Sequence, residues 1–427
     1  MSPASARRWS FRSPVRAAAA ASALALACVA LTPTAAPAAS PTTSIRHITS
    51  TADFQAGTLQ GAVASNGSLR IASSPLGTTT FKDPHSGKSG RYDYGRFTSP
   101  WISTGMDATS LIPSWNAQTD GSTFLRVFVR TKSGSTVSSW DSVATWGISE
   151  TPLARNSAPS QPDDLNQLLT DTLVSNGSSR INAWQVQVDL YRIAGTTRTP
   201  VLHSLSAVAA TYKKRTPNST SKTTMTRTVE LDVPTSSQMT HRGHFPQWGG
   251  GGAAWCSPTS TSMVLRYWNL GPPASAWSWA DEASGHVDHA ARYTYDHEYG
   301  GAGNWPFNVA YAAHYGAQGF VTRLWSLPDA ETFIKAGIPI VVSVAFGKGE
   351  LPGAPISSTN GHLMVIVGFT ADGRVIVNDP AAANDAQVRR TYPRKEFEAA
   401  WLKGSGGVTY VMAPASHPLP PVFKGRW

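Results

Sequence analysis

Between Thr43 and Thr211 the apolar positions fall into short runs at a spacing of two, separated by turn residues. The run Thr58-Leu59-Gln60-Gly61-Ala62-Val63 leads through Asn66-Gly67 into Leu69-Arg70-Ile71. An Asn-Gly step between alternating runs predicts a hairpin, because both residues tolerate the positive φ of a tight two-residue turn. Phe124 to Arg130 alternates in part, as a strand with one well-buried face does, and Ile181 to Tyr191 is the clearest period-two stretch. Many such strands punctuated by Gly, Pro and Ser predict an all-β sandwich, jelly-roll-like, over residues 43–211.

The pattern changes near Thr211. From Lys213 to about Thr228 the chain is Lys, Arg, Ser, Thr, Pro and Asn with almost no apolar position, which predicts a linker over residues 212–228. Val229 to Pro234 opens a second domain, 229–415, with a strand. Pro258 suits a first helical turn, and the sequence from Cys256 stays compatible with a helix until Asn269-Leu270-Gly271-Pro272-Pro273 stops it. Ile338 to Val344 predicts a buried strand. Leu363 to Phe369 and Arg374 to Val377, joined by Ala371-Asp372-Gly373, predict a hairpin. This half therefore mixes a helix with strands. Residues 416–427 form a tail.

Composition sharpens the picture. A chain of 427 residues is too long for one ordinary core, and 36 Gly and 30 Pro with only 15% charged residues fit a β-rich exported protein. Arg7, Arg8, Arg12 and Arg16 precede an apolar stretch from Ala17 to about Leu31 and the small residues Ala35 to Ala39. That order predicts a signal peptide over 1–39 and a secreted, extracellular product. No later stretch approaches the roughly 20 apolar residues of a membrane span. Without those four arginines the formal charge is 10 − 4 = +6, which suits anionic cell-wall polymers rather than nucleic acid. Trp101, Trp115, Trp140, Trp146 and Trp184 in the first half have two readings, as sandwich core or as a glycan-binding face.

Cysteine usage narrows the chemistry. Of two cysteines, Cys28 lies in the signal segment, so Cys256 has no partner for an internal disulfide. At a helix N-terminus, free N–H groups and the helix dipole stabilise a thiolate. A nucleophilic thiol needs a base and the base needs an orienter. His362 opens one strand of the 363–377 hairpin and Asn378-Asp379 closes the other, so antiparallel pairing brings them to one end of the sheet. The acidic and imidazole-rich middle, with His286, Asp288, His289, Asp296, His297 and Glu298, has no metalloenzyme spacing. Neither a metal nor a cofactor is expected.

Taken together, Leu231-Asp232-Val233-Pro234, Ser237-Gln238, Trp255 to Ser260, Gly303 to Asn308, Gly361-His362-Leu363 and Asn378-Asp379-Pro380 resemble the secreted branch of the bacteriocin-processing family of papain-like cysteine peptidases. The resemblance covers about Val229 to Ala413. It implies an α+β papain-like fold, Cys256 as nucleophile, His362 as general base, Asp379 as orienting acid and Gln238 as oxyanion donor. It also implies that Trp255, Asn304 and Trp305 bind substrate. The sequence departs from the family in having Ser257 where Gly is usual. The Gln238–Cys256 segment is also longer than usual, which makes Gln247 a rival donor. The Cys256–His362 separation, 362 − 256 = 106 residues, is too long for most transglutaminase-like or NlpC-type cell-wall enzymes. The implied function is hydrolysis of peptide or amide bonds in a peptide or protein substrate. The alternative is a cell-wall or glycan-binding protein with an inactive papain-like half.

Overall fold

The computed structural model describes residues 43–421 apart from 163, 212–218 and 281–283. The segment expected to be a signal peptide (with Cys28), the start of the linker and the end of the tail lie outside the described residues.

The first half is built from two antiparallel sheets. In one, Ser110–Gln118 and Val201–Ala210 pair at the centre, flanked by the hairpin Asn166–Leu169/Thr172–Ser175 on one side and Ser68–Ile71 with Ala62–Ser65 on the other. In the other, Ile181–Ile193 lies between Thr123–Ser133 and Ser89–Thr98. The expected Asn-Gly turn is present: Asn66 and Gly67 have φ of 49° and 68°, and Ser65 pairs with Ser68. Thr123–Ser133 alternates buried and partly exposed positions. Ile181–Ile193 is buried on both faces for most of its length, because it is a central strand whose second face is covered as well.

The second half carries a third antiparallel sheet, in the order Ala317–Arg323, Val408–Pro414, Ile340–Phe346, Thr359–Phe369, Val375–Asn378, Arg389–Tyr392. Its strands separate their side chains by parity. Leu363, Val365 and Val367 join the helices Cys256–Tyr267 and Trp305–His314 in one apolar cluster, while Met364 and Ile366 join Leu327–Lys335 and Arg394–Ser405 in another. A mixed α/β domain of this kind fits a papain-like fold.

The two halves share a core. Phe307 packs against Trp115 and Trp146 with ring centroids 6.1 and 5.2 Å away. Ser114 and Asn116 of the sandwich accept the N–H groups of Val321 and Gly319 at 3.2 Å. Fully buried Arg155 donates to the carbonyls of Tyr295 and Arg292 across the junction. The described residues of the two halves therefore form one compact unit. The described part of the linker is tied down too: Thr223 and Thr224 bond to Glu331, and Ser221 bonds to Glu398 and Arg394.

Of the five sandwich tryptophans, Trp115, Trp146 and Trp184 are buried in the core. Trp101 and Trp140 are half-buried, and Arg130 lies over both rings.

Candidate active site

Cys256 is the first residue of the helix Cys256–Tyr267, whose N-cap, Trp255, makes no side-chain cap bond. The first N–H groups of the helix are left to other acceptors, and Ser257 N–H and Leu363 N–H both reach the Cys256 sulfur. Ser260, one turn along, bonds the carbonyl of Leu363 at 3.2 Å and so fixes the helix against the His362 strand. The unusual Ser257 is accommodated: its hydroxyl is buried against the Tyr410 hydroxyl at 2.9 Å.

His362 sits on the strand Thr359–Phe369, opposite Val344. The return strand ends at Asn378, paired with Val365, so Asp379 emerges beside the His362 ring. Nε2 of His362 is 2.8 Å from Asp379 Oδ1, and the ring also hydrogen-bonds the thiol of Cys256. The other carboxylate oxygen, Oδ2, accepts the Tyr392 hydroxyl at 2.8 Å, and Ala381 N–H donates to Oδ1 at 3.0 Å. Asn378 plays no part in holding the ring. Its amide donates to Val233 and Pro234, and its oxygen accepts from Arg389.

Electrostatics follow from this packing. Burial alone opposes the charged form of every member. It pushes His362 down, but Asp379 and the Cys256 sulfur outweigh it and hold the ring up at about 10. It pushes the thiol up, yet the His362 contact and the two backbone N–H groups bring Cys256 below the ordinary thiol range. It likewise raises Asp379, which the His362 charge and the Tyr392 bond reverse. The arrangement favours a thiolate–imidazolium pair.

Cys256 and His362 line a cleft of about 800 Å³. Gln238 lines it as well. Its amide Nε2 donates to Ala253 O at 2.8 Å, which fixes the amide orientation, and Gln238 N–H is held by Pro380 O. The glycines before Cys256 make this possible: a Cβ on Gly252 would lie 2.4 Å from Gln238 O, and Gly251 has φ +84°. Gln247 is exposed and does not line the cleft.

Two expected substrate contacts lie elsewhere. Trp255 is 0% exposed, with its indole N–H bonded to Trp248 O, because the ring is the centre of an apolar cluster with Val287, Ala291 and Ala302. Asn304 is buried as the N-cap of Trp305–His314, accepting Phe307 N–H and donating to Asp296. Trp305 does line the cleft. Tyr392, at the end of the strand Arg389–Tyr392, reaches Asp379 with no motif of its own to mark it, and Leu169 to Thr172 of the first half reach the cleft with no local signal either.

One group of metal-capable donors is present among the described residues: His241, His244 and Asp288, within 4.8 Å of one another. The two Nδ1 atoms contact different oxygens of Asp288, at 2.8 and 3.2 Å. Each carboxylate oxygen already has an imidazole partner, so the cluster closes as a hydrogen-bonded triad tying the Gln238–Cys256 segment to the helix His286–Thr294.

Comparison with known proteins decides the family. A profile of the peptidase C39-like family matches residues 230–408. The second half of the chain belongs to that family. Residues 44–210 match a separate profile, described as the peptidase C39 N-terminal domain. No curated protein matches the chain. Among solved structures, one of TmCBM61 in complex with beta-1,4-galactotriose aligns at 6% identity over 38% of this chain and 86% of its own, with a TM-score of 0.17. That score carries neither fold nor ligand over to this protein. Membership of the C39-like family supports a cysteine-peptidase type of function.

Proposed function

We propose that the protein is an exported cysteine peptidase that hydrolyses peptide bonds through Cys256, His362 and Asp379. The observation that carries the reading is a single imidazole held between a thiol with a depressed pKa and a buried carboxylate. The thiolate attacks the scissile carbonyl carbon, and the carbonyl oxygen becomes an oxyanion. The remaining Nε2 hydrogen of Gln238 and the Cys256 backbone N–H stabilise that charge. The C–N bond breaks as His362 passes its proton to the leaving amine, giving a thioester. His362 then takes a proton from water, whose oxygen attacks the thioester and frees the acid and the thiolate. Asp379, oriented by Tyr392, keeps the ring in place and balances its charge throughout.

Export rests on the N-terminal sequence alone. A glycan-binding role for the first half has less support, because Trp115, Trp146 and Trp184 are consumed by the core and Arg130 covers both other rings. The test is a proteomic cleavage profile of secreted substrates comparing wild type with Cys256→Ala. New termini that vanish in the variant are expected, and identical profiles would sink the peptidase reading.

A further inference from the structure

The cleft is not made by the C39-like domain alone. The hairpin Asn166–Leu169/Thr172–Ser175, at the edge of a sandwich sheet, places Leu169, Thr170, Asp171, Thr172 and Val174 in its wall together with Cys256 and His362. The hairpin has a defined register, with Leu169 opposite Thr172. Its tip is anchored across the domain junction: buried Asp171 accepts the N–H of Trp305 at 3.2 Å through Oδ2, and Thr172 donates to Oδ1 at 3.0 Å. Trp305 is the first residue of a ten-residue helix, so a carboxylate there also meets the positive end of the helix dipole.

The surface that this anchoring presents is apolar. Leu169 is 49% exposed and Tyr299 is 53% exposed, two of the seven large hydrophobic residues so exposed among the described residues, and both line this cleft. Half-buried Val174, Trp305 and Ile356 continue the lining. The charged groups in the wall are occupied by protein. Asp171 is held as above, and Arg323 donates to the carbonyls of Ser405 and Gly406. Leu169, Tyr299 and Trp305 line the same cleft as the Cys256 thiol. Exposed apolar side chains converging on a concave site mark a place where a ligand removes them from water.

We propose that the first domain supplies part of the substrate site: Leu169, with Tyr299 and Trp305, forms a subsite for an apolar side chain of the peptide next to the scissile bond. This rests on the reading of the cleft as a peptidase site. The first domain is then a specificity element, and the unit that recognises substrate is the whole chain rather than residues 230–408.

The probe is a set of blocked peptides of equal length carrying Leu, Phe, Ala, Asp or Lys at one scanned position. Cleavage is measured with the full chain, and binding is measured separately by fluorescence anisotropy on the Cys256→Ala protein. Leu and Phe peptides are expected to bind and turn over best. Leu169→Ala is expected to raise their KM about tenfold with kcat little changed, and to weaken binding to the Cys256→Ala protein by a similar factor. Leu169→Asp is expected to abolish the preference for apolar residues. Val137→Ala, an exposed apolar position away from the cleft, is the control for surface effects. Equal KM and equal binding for Leu169→Ala and wild type would overturn the inference, as would a Cys256→Ala protein that binds none of the apolar peptides. Normal, Leu169-dependent binding with no cleavage by wild type would overturn the peptidase reading alone.

Discussion

Replacing Asp379 with asparagine tests the charge relationship at the centre of the site. The carboxylate lies 2.8 Å from His362 Nε2. With charge centres about 4 Å apart and an effective dielectric of about 20, the pair contributes about 4 kcal/mol. At 1.36 kcal/mol per pKa unit that is about 3 units. His362, held up at about 10 in the wild type, is expected to fall to about 7 in Asp379→Asn. The thiolate then loses its fully charged partner over the neutral range. The assay is the rate of iodoacetamide alkylation at Cys256 from pH 4 to 10, read by mass spectrometry of the Cys256 peptide, with unfolded protein as reference. Wild type is expected to stay reactive well below the pH at which the unfolded thiol ionises. In the variant the reactive limb should move upward, and the rate at pH 7 should drop on the order of tenfold. Near-UV circular dichroism controls for folding, because Asp379 also accepts from Tyr392 and Ala381. A folded Asp379→Asn protein with the wild-type pH profile would refute the reasoning.

Other consequences are as direct. Gln238→Ala is expected to lower kcat by about 10²- to 10³-fold with little change in KM, whereas Gln247→Ala should leave both unchanged; steady-state kinetics decide. Tyr392→Phe removes a hydrogen bond to a buried carboxylate and should cost about 1.5–3 kcal/mol in urea unfolding. Phe307→Ala opens a cavity between the halves and should cost about 3–5 kcal/mol. Calorimetry should still show one unfolding transition, and two separate transitions would contradict the shared core. Burial raises Asp171 to about 6, so its neutral form is favoured in the folded state. Its contribution to stability is full below about pH 4 and is lost as pH rises through about 6. The Tm of Asp171→Asn minus that of wild type should therefore grow across that window, and a flat difference would count against it.

The elements that carry the site were legible because each has a local cause. The helix from Cys256 and the hairpin bearing His362 and Asp379 follow from helix stops, turn chemistry and strand burial, each set within one continuous stretch of chain. Asp379 rather than Asn378 faces His362 because of strand register, and Gln238 rather than Gln247 lines the cleft because of a close glycine approach. Both choices depend on where the chain lies in space. Trp255 and Asn304 show the same limit from the other side. The family resemblance puts both in a substrate cleft, but Val287, Ala291 and Ala302, distant in sequence, make Trp255 a core ring, and Asn304 is spent capping its own helix. Sequence alone determined the order of Cys256, His362 and Asp379 along the chain and the class of each half. Only the tertiary structure decided that the halves share one core, that Tyr392 reaches Asp379 and that a sandwich hairpin walls the cleft. Those facts are long-range contacts, and no local pattern of residues encodes which distant surfaces meet.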